Sequence, residues 1–169
     1  MSNKYTPHLQ VLPEDDANRQ FVNGMALNRK LRLRQLQMLP PAGGWLEVLN
    51  RLSDPATVQD LVNFGKRHLL LLIDFDQDHQ KRWQIYQGKI ALRPPGVADR
   101  VYLLGCLDEP ETFKATCSPR RSLEKLGGEL SDDCAPLPAT NLWQHAHLQH
   151  NAAELARLVA QVKPFLYQL

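Results

Sequence analysis

The sequence predicts an α/β protein, a single domain with a mostly parallel, four-stranded sheet flanked by helices and followed by a helical C-terminal extension. Leu69 to Ile73 is an unbroken aliphatic run, which is typical of a strand that is covered on both faces. Segments with strand character alternate with helical segments up to about residue 116, and this alternation favours a parallel sheet with right-handed crossovers. After Cys117 the strand signals stop.

Length and composition favour one globular domain. The chain has 169 residues, and a chain of this size removes about 70% of its unfolded surface from water. We divide it into an α/β core over residues 1–116 and a helical extension over residues 117–169 that packs on the same domain. The formal net charge of +2 is too small to indicate a nucleic-acid partner by itself.

Cysteine usage and hydropathy predict a soluble, cytoplasmic protein with no membrane contact. Cys106, Cys117 and Cys134 are an odd number of cysteines at unpatterned spacings, and the N-terminal segment lacks the apolar core of a signal peptide. The longest apolar run, Leu69 to Ile73, is far shorter than the ~20 residues that span a bilayer. We therefore expect a reducing compartment.

The first predicted strand, Leu9 to Leu12, alternates apolar and polar residues and precedes a helix over about 17–27. Asp15 or Asp16 is expected to cap this helix, because a carboxylate there accepts hydrogen bonds from the first-turn N–H groups and suits the positive end of the helix dipole. Glu14, the residue closest to the strand end, stays available as a ligand.

A second strand is predicted over Lys30 to Met38, because its first residues alternate in polarity and the Pro- and Gly-rich stretch 40–44 closes it. Two short helices, over about 45–52 and 55–64, then lead to the buried strand that contains Leu69 to Ile73.

The buried strand leads into a helix predicted over Asp78 to Ile90. A fourth strand is predicted over Val101 to Gly105. Pro110 suits the first turn of the next helix, which is expected to end near Thr116.

Beyond Cys117 the sequence predicts a short helix over 121–130, a loop over 132–138 and a final helix over 152–166. The final helix carries apolar residues at helical spacing, namely Leu155, Leu158, Val159, Val162 and Phe165. We expect this stripe to pack on the sheet. The alternative is an interface to a partner or to a second copy in an oligomer.

Acidic residues follow the predicted strands. They are Glu14 after the first, Asp74 and Asp76 after the third, and Asp78, Glu109 and Glu111 as possible additional ligands. The carboxyl ends of parallel strands share one edge, where open α/β sheets bind ligands. Asp74 and Asp76 are two apart, so an extended chain would point both to the same side. Such oxygen ligands favour Mg²⁺ or Mn²⁺, and two ions about 3.5–4 Å apart would suit phosphodiester cleavage. The alternative is a solvated, acidic strand end.

A basic cluster lies elsewhere in the chain, formed by Arg29, Lys30, Arg32 and Arg34. Such a cluster could follow the phosphate backbone of DNA or RNA. A solvated face of a strand or loop is at least as good an interpretation.

The order strand, Glu14, helix, strand, helix, strand, Asp74-Phe75-Asp76 resembles the Toprim domain of topoisomerases, primases, recombination proteins and OLD-type (overcoming lysogenisation defect) nucleases. The resemblance covers about residues 8–116 and implies a Rossmann-like Toprim fold. It also implies that Glu14 acts as general acid or base or as a ligand, while Asp74 and Asp76 hold Mg²⁺ or Mn²⁺. One position departs from the pattern, because Asp15 stands where the family commonly has glycine.

The Toprim resemblance implies a metal-dependent nuclease, or the Toprim subunit of a nuclease or phage-defence complex. A separately encoded ABC-type ATPase would then be a partner. The main alternative is a non-catalytic adaptor or regulatory subunit with the same fold. Two stretches, Leu12 to Gln20 and Gly105 to Glu111, also resemble a family of small bacterial proteins, a resemblance that implies no activity.

The Asp74-Phe75-Asp76 element also resembles the phosphatase signature of the haloacid dehalogenase superfamily, which would make Asp74 a nucleophile. Two features weaken this alternative. Asp78 stands where that family usually has threonine or valine, and its motif normally lies on the first strand.

His145, His147 and His150, together with Cys117 and Cys134, fit no compact zinc-binding spacing. We expect helix-surface histidines and structural thiols.

Overall fold

The computed structural model describes residues 5–134 and 140–168, and within them the chain forms a four-stranded parallel sheet with helices on both faces. The strands are β1 (His8–Pro13), β2 (Leu36–Met38), β3 (Arg67–Leu72) and β4 (Val101–Leu104). The α-helices are α1 (Asp16–Ala26), α2 (Trp45–Asn50), α3 (Pro55–Asn63), α4 (His79–Ile90), α5 (Pro95–Ala98), α6 (Pro110–Thr116), α7 (Leu123–Cys134) and α8 (Ala152–Leu166). The predicted fold class is confirmed. Among the described residues, every helix is too short or too polar to cross a membrane.

The strands lie in the order β2-β1-β3-β4, and each neighbouring pair is parallel. The chain leaves β1 in one direction to form β2 and then returns to form β3 on the other side of β1. The two central strands pair along their whole length, from His8 opposite Arg67 to Pro13 opposite Leu72. The strand order therefore reverses between β1 and β3, and such a switch point is where open α/β sheets form a ligand crevice.

The leucines of β3 fill both faces of the sheet, because successive side chains of a strand point to opposite sides. Leu69 and Leu71 join the apolar cluster beneath α2, α3, α4 and α5, while Leu70 joins the cluster beneath α1 and α8. All three are at most 4% exposed. Burying one such side chain stabilises the fold by roughly 1.5–3 kcal/mol, so the aliphatic run anchors the centre of the domain.

The start of α1 is fixed by its cap. The Asp15 carboxylate accepts a hydrogen bond from the backbone N–H of Asn18 at 3.0 Å, which satisfies one of the unpaired donors of the first turn. Asp16 instead points to solvent and binds Arg19 and Gln20. The predicted capping role is thus confirmed for Asp15.

The prediction of a strand over Lys30 to Met38 is wrong for most of its length, since only Leu36–Met38 pairs with β1. Leu33–Gln35 forms a 3₁₀ turn, and Leu31 bridges antiparallel to Tyr167 after α8. The backbone N–H of Arg32 likewise bonds to a carbonyl at the end of α8. These tertiary contacts take up the backbone groups that a longer β2 would offer to β1.

The helix predicted over 121–130 begins at Leu123 and continues to Cys134, so the loop predicted over 132–138 is wrong for residues 132–134. Residues 135–139 lie outside the described ranges. The helix continues through Gly127 and Gly128 because it packs closely on α1: a side chain at Gly127 would collide with the α1 backbone, and Gly128 lies in ordinary contact with Gly24. Packing on α1 therefore overrides the tendency of glycine to end a helix.

The final helix packs on the sheet as predicted. Leu158 and Val162 are 7% and 2% exposed and contact the cluster beneath α1 and α8. Leu155 and Phe165 are partly buried against the same cluster, and Val159 is half-buried. The apolar stripe is therefore used mainly inside the domain.

Replacing Leu158 by alanine should lower the free energy of unfolding by about 2–5 kcal/mol, because the substitution removes buried methyl groups and leaves a cavity. Leu92→Ala is the matched control, since Leu92 is 75% exposed, and its effect should stay within about 0.5 kcal/mol. Urea denaturation of both variants measures the difference. Equal effects would contradict the packing described for α8.

Candidate active site at the carboxyl edge of the sheet

The candidate site lies at the switch point of the sheet, beyond the carboxyl ends of β1 and β3. The backbone N–H of Glu14 bonds to the carbonyl of Leu72 at 2.9 Å and so extends the β1–β3 ladder by one residue. Asp74 follows two residues after the end of β3. The parallel pairing thus brings together two acids that are 60 residues apart in the sequence.

Glu14 and Asp74 are in direct contact through the backbone. The Glu14 Oε2 atom accepts a hydrogen bond from the Asp74 N–H at 2.7 Å. The Asp74 Oδ1 atom accepts one from the side-chain amide of Asn18 at 2.9 Å, and the same amide donates to Asp15 at 3.1 Å. One oxygen of each carboxylate therefore accepts a hydrogen bond, and these bonds fix the orientation of both groups.

Burial makes the charged form of Asp74 costly. The side chain belongs to a residue that is 7% exposed, and burial is the main cause that raises its pKa to about 7. The neighbouring carboxylates of Glu14, Asp15 and Asp76 raise the pKa of Asp74 further, whereas the Asn18 amide lowers it. At neutral pH this carboxyl group is therefore partly protonated, and a nearby cation would favour its charged form.

The pKa of Glu14 is also raised above its usual value. Burial is the largest cause, and the negative charge of Asp15 adds to it. The hydrogen bond from the Asp74 N–H opposes the shift, as does the positive charge of Arg82. Two adjacent carboxyl groups with raised pKa values are typical of functional sites, because both groups gain from a bound proton or metal ion.

Asp76 does not lie beside Asp74 on an extended chain, so that part of the sequence-based expectation is wrong. The backbone turns at Asp76 and Gln77, whose φ angles are 46° and 63°. The Asp76 carboxylate, 48% exposed, forms an ion pair with Arg82 at 2.5 Å. Asp76 is thus paired with Arg82 at the start of α4, while its negative charge still raises the pKa values of Glu14 and Asp74.

The additional acids differ in their surroundings. Asp78 is exposed at the start of α4 and makes no capping bond, and Glu109 is exposed before α6. Glu111 lies in the first turn of α6. Burial raises the pKa of the Cys106 thiol, and the charges of Asp74 and Glu111 add to that effect. The exit of β4 therefore contributes negative charge to the same edge.

Two acids of this set each keep one carboxylate oxygen outside the hydrogen bonds described above. Among the described residues, no group of three or more His, Cys, Asp or Glu side chains is arranged to hold a metal ion. Mg²⁺, however, commonly uses only one or two carboxylates and keeps several waters. The Glu14 Oε1 and Asp74 Oδ2 atoms accept no hydrogen bond from any described residue. Glu14 and Asp74 thus each keep one oxygen that no described donor uses, whereas the Asp76 carboxylate is paired with Arg82.

The basic cluster lies at the opposite edge of the sheet. Arg29, Lys30, Arg32 and Arg34 fall between the end of α1 and the start of β2. Because β2 runs parallel to β1, its start is at the amino edge. The cluster is mostly exposed, and the structure does not bring it together with the acids.

The C-terminal histidines lie on irregular chain and short 3₁₀ turns before α8, so their expected position on a helix surface is wrong. Their rings pack on aromatic side chains. His145 lies 5.0 Å from Phe113 and His150 lies 5.2 Å from Phe75, measured between ring centroids. The three cysteines are free thiols. The histidine rings therefore contribute packing contacts with the aromatic side chains of the domain.

Sequence reasoning missed two residues of the site, Asn18 and Arg82. Asn18 is 1% exposed and lies three residues after the cap Asp15, on the inner side of α1. A polar residue at that position of a first turn was a usable signal. Arg82 is a cation in the first turn of a helix, where the helix dipole favours acids, and that mismatch was the only signal for it.

Neither a protein-family model, nor a curated protein, nor a solved structure matches this chain.

Proposed function

We propose that the chain is a divalent-cation-dependent phosphodiesterase of the Toprim type, acting as a nuclease or as the nuclease subunit of a complex. The observation that carries the proposal is the contact between Glu14 and Asp74 at the switch point of a parallel sheet. A ligand crevice is expected at that place on general grounds. Both acids there have raised pKa values, and each keeps one oxygen that accepts no hydrogen bond from a residue that the structure describes.

In this proposal Glu14 and Asp74 hold Mg²⁺ or Mn²⁺. The cation would polarise a phosphate oxygen and lower the pKa of a bound water. Asn18 fixes the orientation of Asp74, and the Asp74 N–H does the same for Glu14. With its raised pKa, Glu14 is also suited to hold or release a proton near the leaving oxygen.

Charge around the site favours a subunit over an autonomous enzyme. Asp78 and Glu111 are exposed acids on segments that begin at this edge, while the basic cluster lies at the far edge. A DNA or RNA backbone would be repelled from this edge unless cations or a partner neutralised it. A separately encoded ABC-type ATPase is the partner that we propose.

A second candidate is a non-catalytic adaptor. The observation that favours it is that each acid has a partner within the protein: the Asp74 N–H for Glu14, Asn18 for Asp74 and Arg82 for Asp76. In such an adaptor the acids would only stabilise the local structure at the ends of β1 and β3. The phosphatase alternative stays a prediction, and the position of Asp74 after the third strand rather than the first weakens it.

Calorimetric titration with Mn²⁺ separates these candidates. The parent should bind Mn²⁺, and Glu14→Gln or Asp74→Asn should weaken binding by about tenfold or more, because each removes one of only two charged ligands. Bound cation should also raise the melting temperature of the parent by mass action. Asp99→Asn is the control, since Asp99 is an exposed acid at the amino edge, just before β4.

The titration should be repeated with DNA present and followed by a nicking assay. Absence of Mn²⁺ binding at millimolar concentration, with and without DNA, would favour the adaptor. Binding without nicking by the isolated chain would point to a required partner.

A further inference from the structure

An apolar cavity lies on the face of the sheet that α1 and α8 cover, and α7 closes part of it. Its volume is about 100 Å³. Side chains of three strands and of these three helices line it, among them Val11, Val22, Leu70, Leu104, Leu130 and Leu158. Protein interiors contain few voids larger than a water molecule. An apolar space of this size in a close-packed domain is therefore a candidate ligand site.

The walls of the cavity carry no charge and offer few polar groups. Among the described residues that line it, none is Asp, Glu, Lys, Arg or His. Its polar side chains are already bonded: the hydroxyls of Ser131 and Tyr167 lie 2.7 Å apart, the Asn18 amide donates to two carboxylates, and Asn151 bonds to the backbone after β4. A buried water needs about two to four polar partners, so this cavity suits an apolar occupant better than water.

The cavity also has an opening. It is partly open to solvent, and Met25 on α1, Cys134 at the end of α7 and Leu155 on α8 line it while being only partly buried. The unbranched Met25 side chain has three rotatable bonds and adapts readily to its surroundings. A small molecule can therefore enter without separation of the helices.

We propose that this cavity is a binding site for a small uncharged apolar molecule, of the size of one aromatic ring or a short hydrocarbon chain. An engineered cavity of about 150 Å³ with similar walls binds benzene. A charged ligand would lose its hydration here without gaining a counter-ion. The inference goes beyond the proposed function and does not depend on it, because no carboxylate of the candidate active site lines the cavity.

The test is calorimetric titration with benzene as the probe, on the parent and on Val22→Phe. Val22 is 3% exposed and lines the cavity, so the larger side chain should fill part of it and weaken binding by about tenfold or more. Val62→Phe is the matched control, since Val62 is 49% exposed on α3. It should change the affinity by about twofold or less. Benzoate, which adds a charge to the same ring, should not bind to the parent.

Methyl NMR spectra locate the bound probe. Benzene should shift the signals of Leu70 and Leu104, which line the cavity, and leave the signals of Leu61 on the opposite face of the sheet unchanged. If Val22→Phe does not fold, Leu158→Ala takes its place. Removing the Leu158 side chain enlarges the cavity, so propylbenzene should bind to this variant about fivefold more tightly than to the parent, or better.

Three results would overturn the inference. They are no benzene binding by the parent, equal affinities of Val22→Phe and Val62→Phe for benzene, and benzoate binding as tight as that of benzene, which would place the probe at the surface. Unchanged propylbenzene affinity in Leu158→Ala would have the same meaning. Loss of benzene binding in Val22→Phe alone, with signal shifts at Leu70 and Leu104, would support the site. None of these measurements uses Mn²⁺, so their failure is distinct from failure of the proposed function.

Discussion

Gly127→Ala is expected to lower the free energy of unfolding by about 3 kcal/mol or more, because overpacking two helices at their closest approach forces the backbones apart. A β-carbon at Gly127 would lie 2.1 Å from the carbonyl oxygen of Phe21, and one at Gly24 would lie 1.7 Å from that of Glu124. The obstacle in both cases is backbone, which a change of rotamer does not relieve. Gly24→Ala should therefore have a similar effect.

Gly88→Ala is the matched control, because Gly88 lies within α4 and nothing approaches its β-carbon position within 4 Å. The same substitution there should raise stability by about 0.5–1 kcal/mol through helix propensity. Urea denaturation measures all three variants. If Gly127→Ala were also stabilising, the close packing of α1 on α7 would be wrong.

Asp74→Asn is expected to change how stability depends on pH. In the folded protein the pKa of Asp74 is raised by burial to about 7, whereas the unfolded chain has an ordinary value near 3.9. Between these values the folded state binds more protons than the unfolded state. The free energy of unfolding of the parent should therefore fall as pH rises from about 4 to 8, by an amount on the order of 2–4 kcal/mol from this group.

Asp74→Asn should remove that loss, so in a chelating buffer it should be more stable than the parent at pH 8 and similar to it at pH 4. Urea unfolding across this pH range gives the comparison, with Asp99→Asn expected to keep the slope of the parent. Identical slopes for Asp74→Asn and the parent would show that Asp74 is not a buried carboxyl with a raised pKa. Added Mn²⁺ should restore stability to the parent at pH 8 but not to the variant, if the proposed site is correct.

The predictions for Gly127→Ala and Asp74→Asn concern parts of the structure that are in contact with each other. Gly24 and Gly127 set the distance between α1 and α7, and α1 carries both Asp15 and Asn18 to the edge of the sheet. A displaced α1 would withdraw the amide that orients Asp74. A Gly127→Ala protein that still folds should therefore also show weaker binding of Mn²⁺.

The sequence by itself determined the elements whose signals are local. The aliphatic run predicted β3 and its burial on both faces, Pro110 predicted the start of α6, and the apolar spacing predicted α8 over Ala152–Leu166. It also placed Glu14 and Asp74 at strand ends, and parallel strands bring such ends to one edge. These features depend on hydrophobic periodicity, helix capping and proline geometry, all of which are determined by residues that are close together in the sequence.

Only the tertiary structure decided the remaining features. The length of β2 depends on contacts of Leu31 and Arg32 with the end of α8, more than 130 residues away. The continuation of α7 through its glycines depends on α1. The pairing of Asp76 with Arg82 depends on a left-handed turn and on the Trp45 ring supplied by another helix. In each case the partner that satisfies a backbone group or a charge comes from another element, and its position exists only once the sheet has brought the elements together.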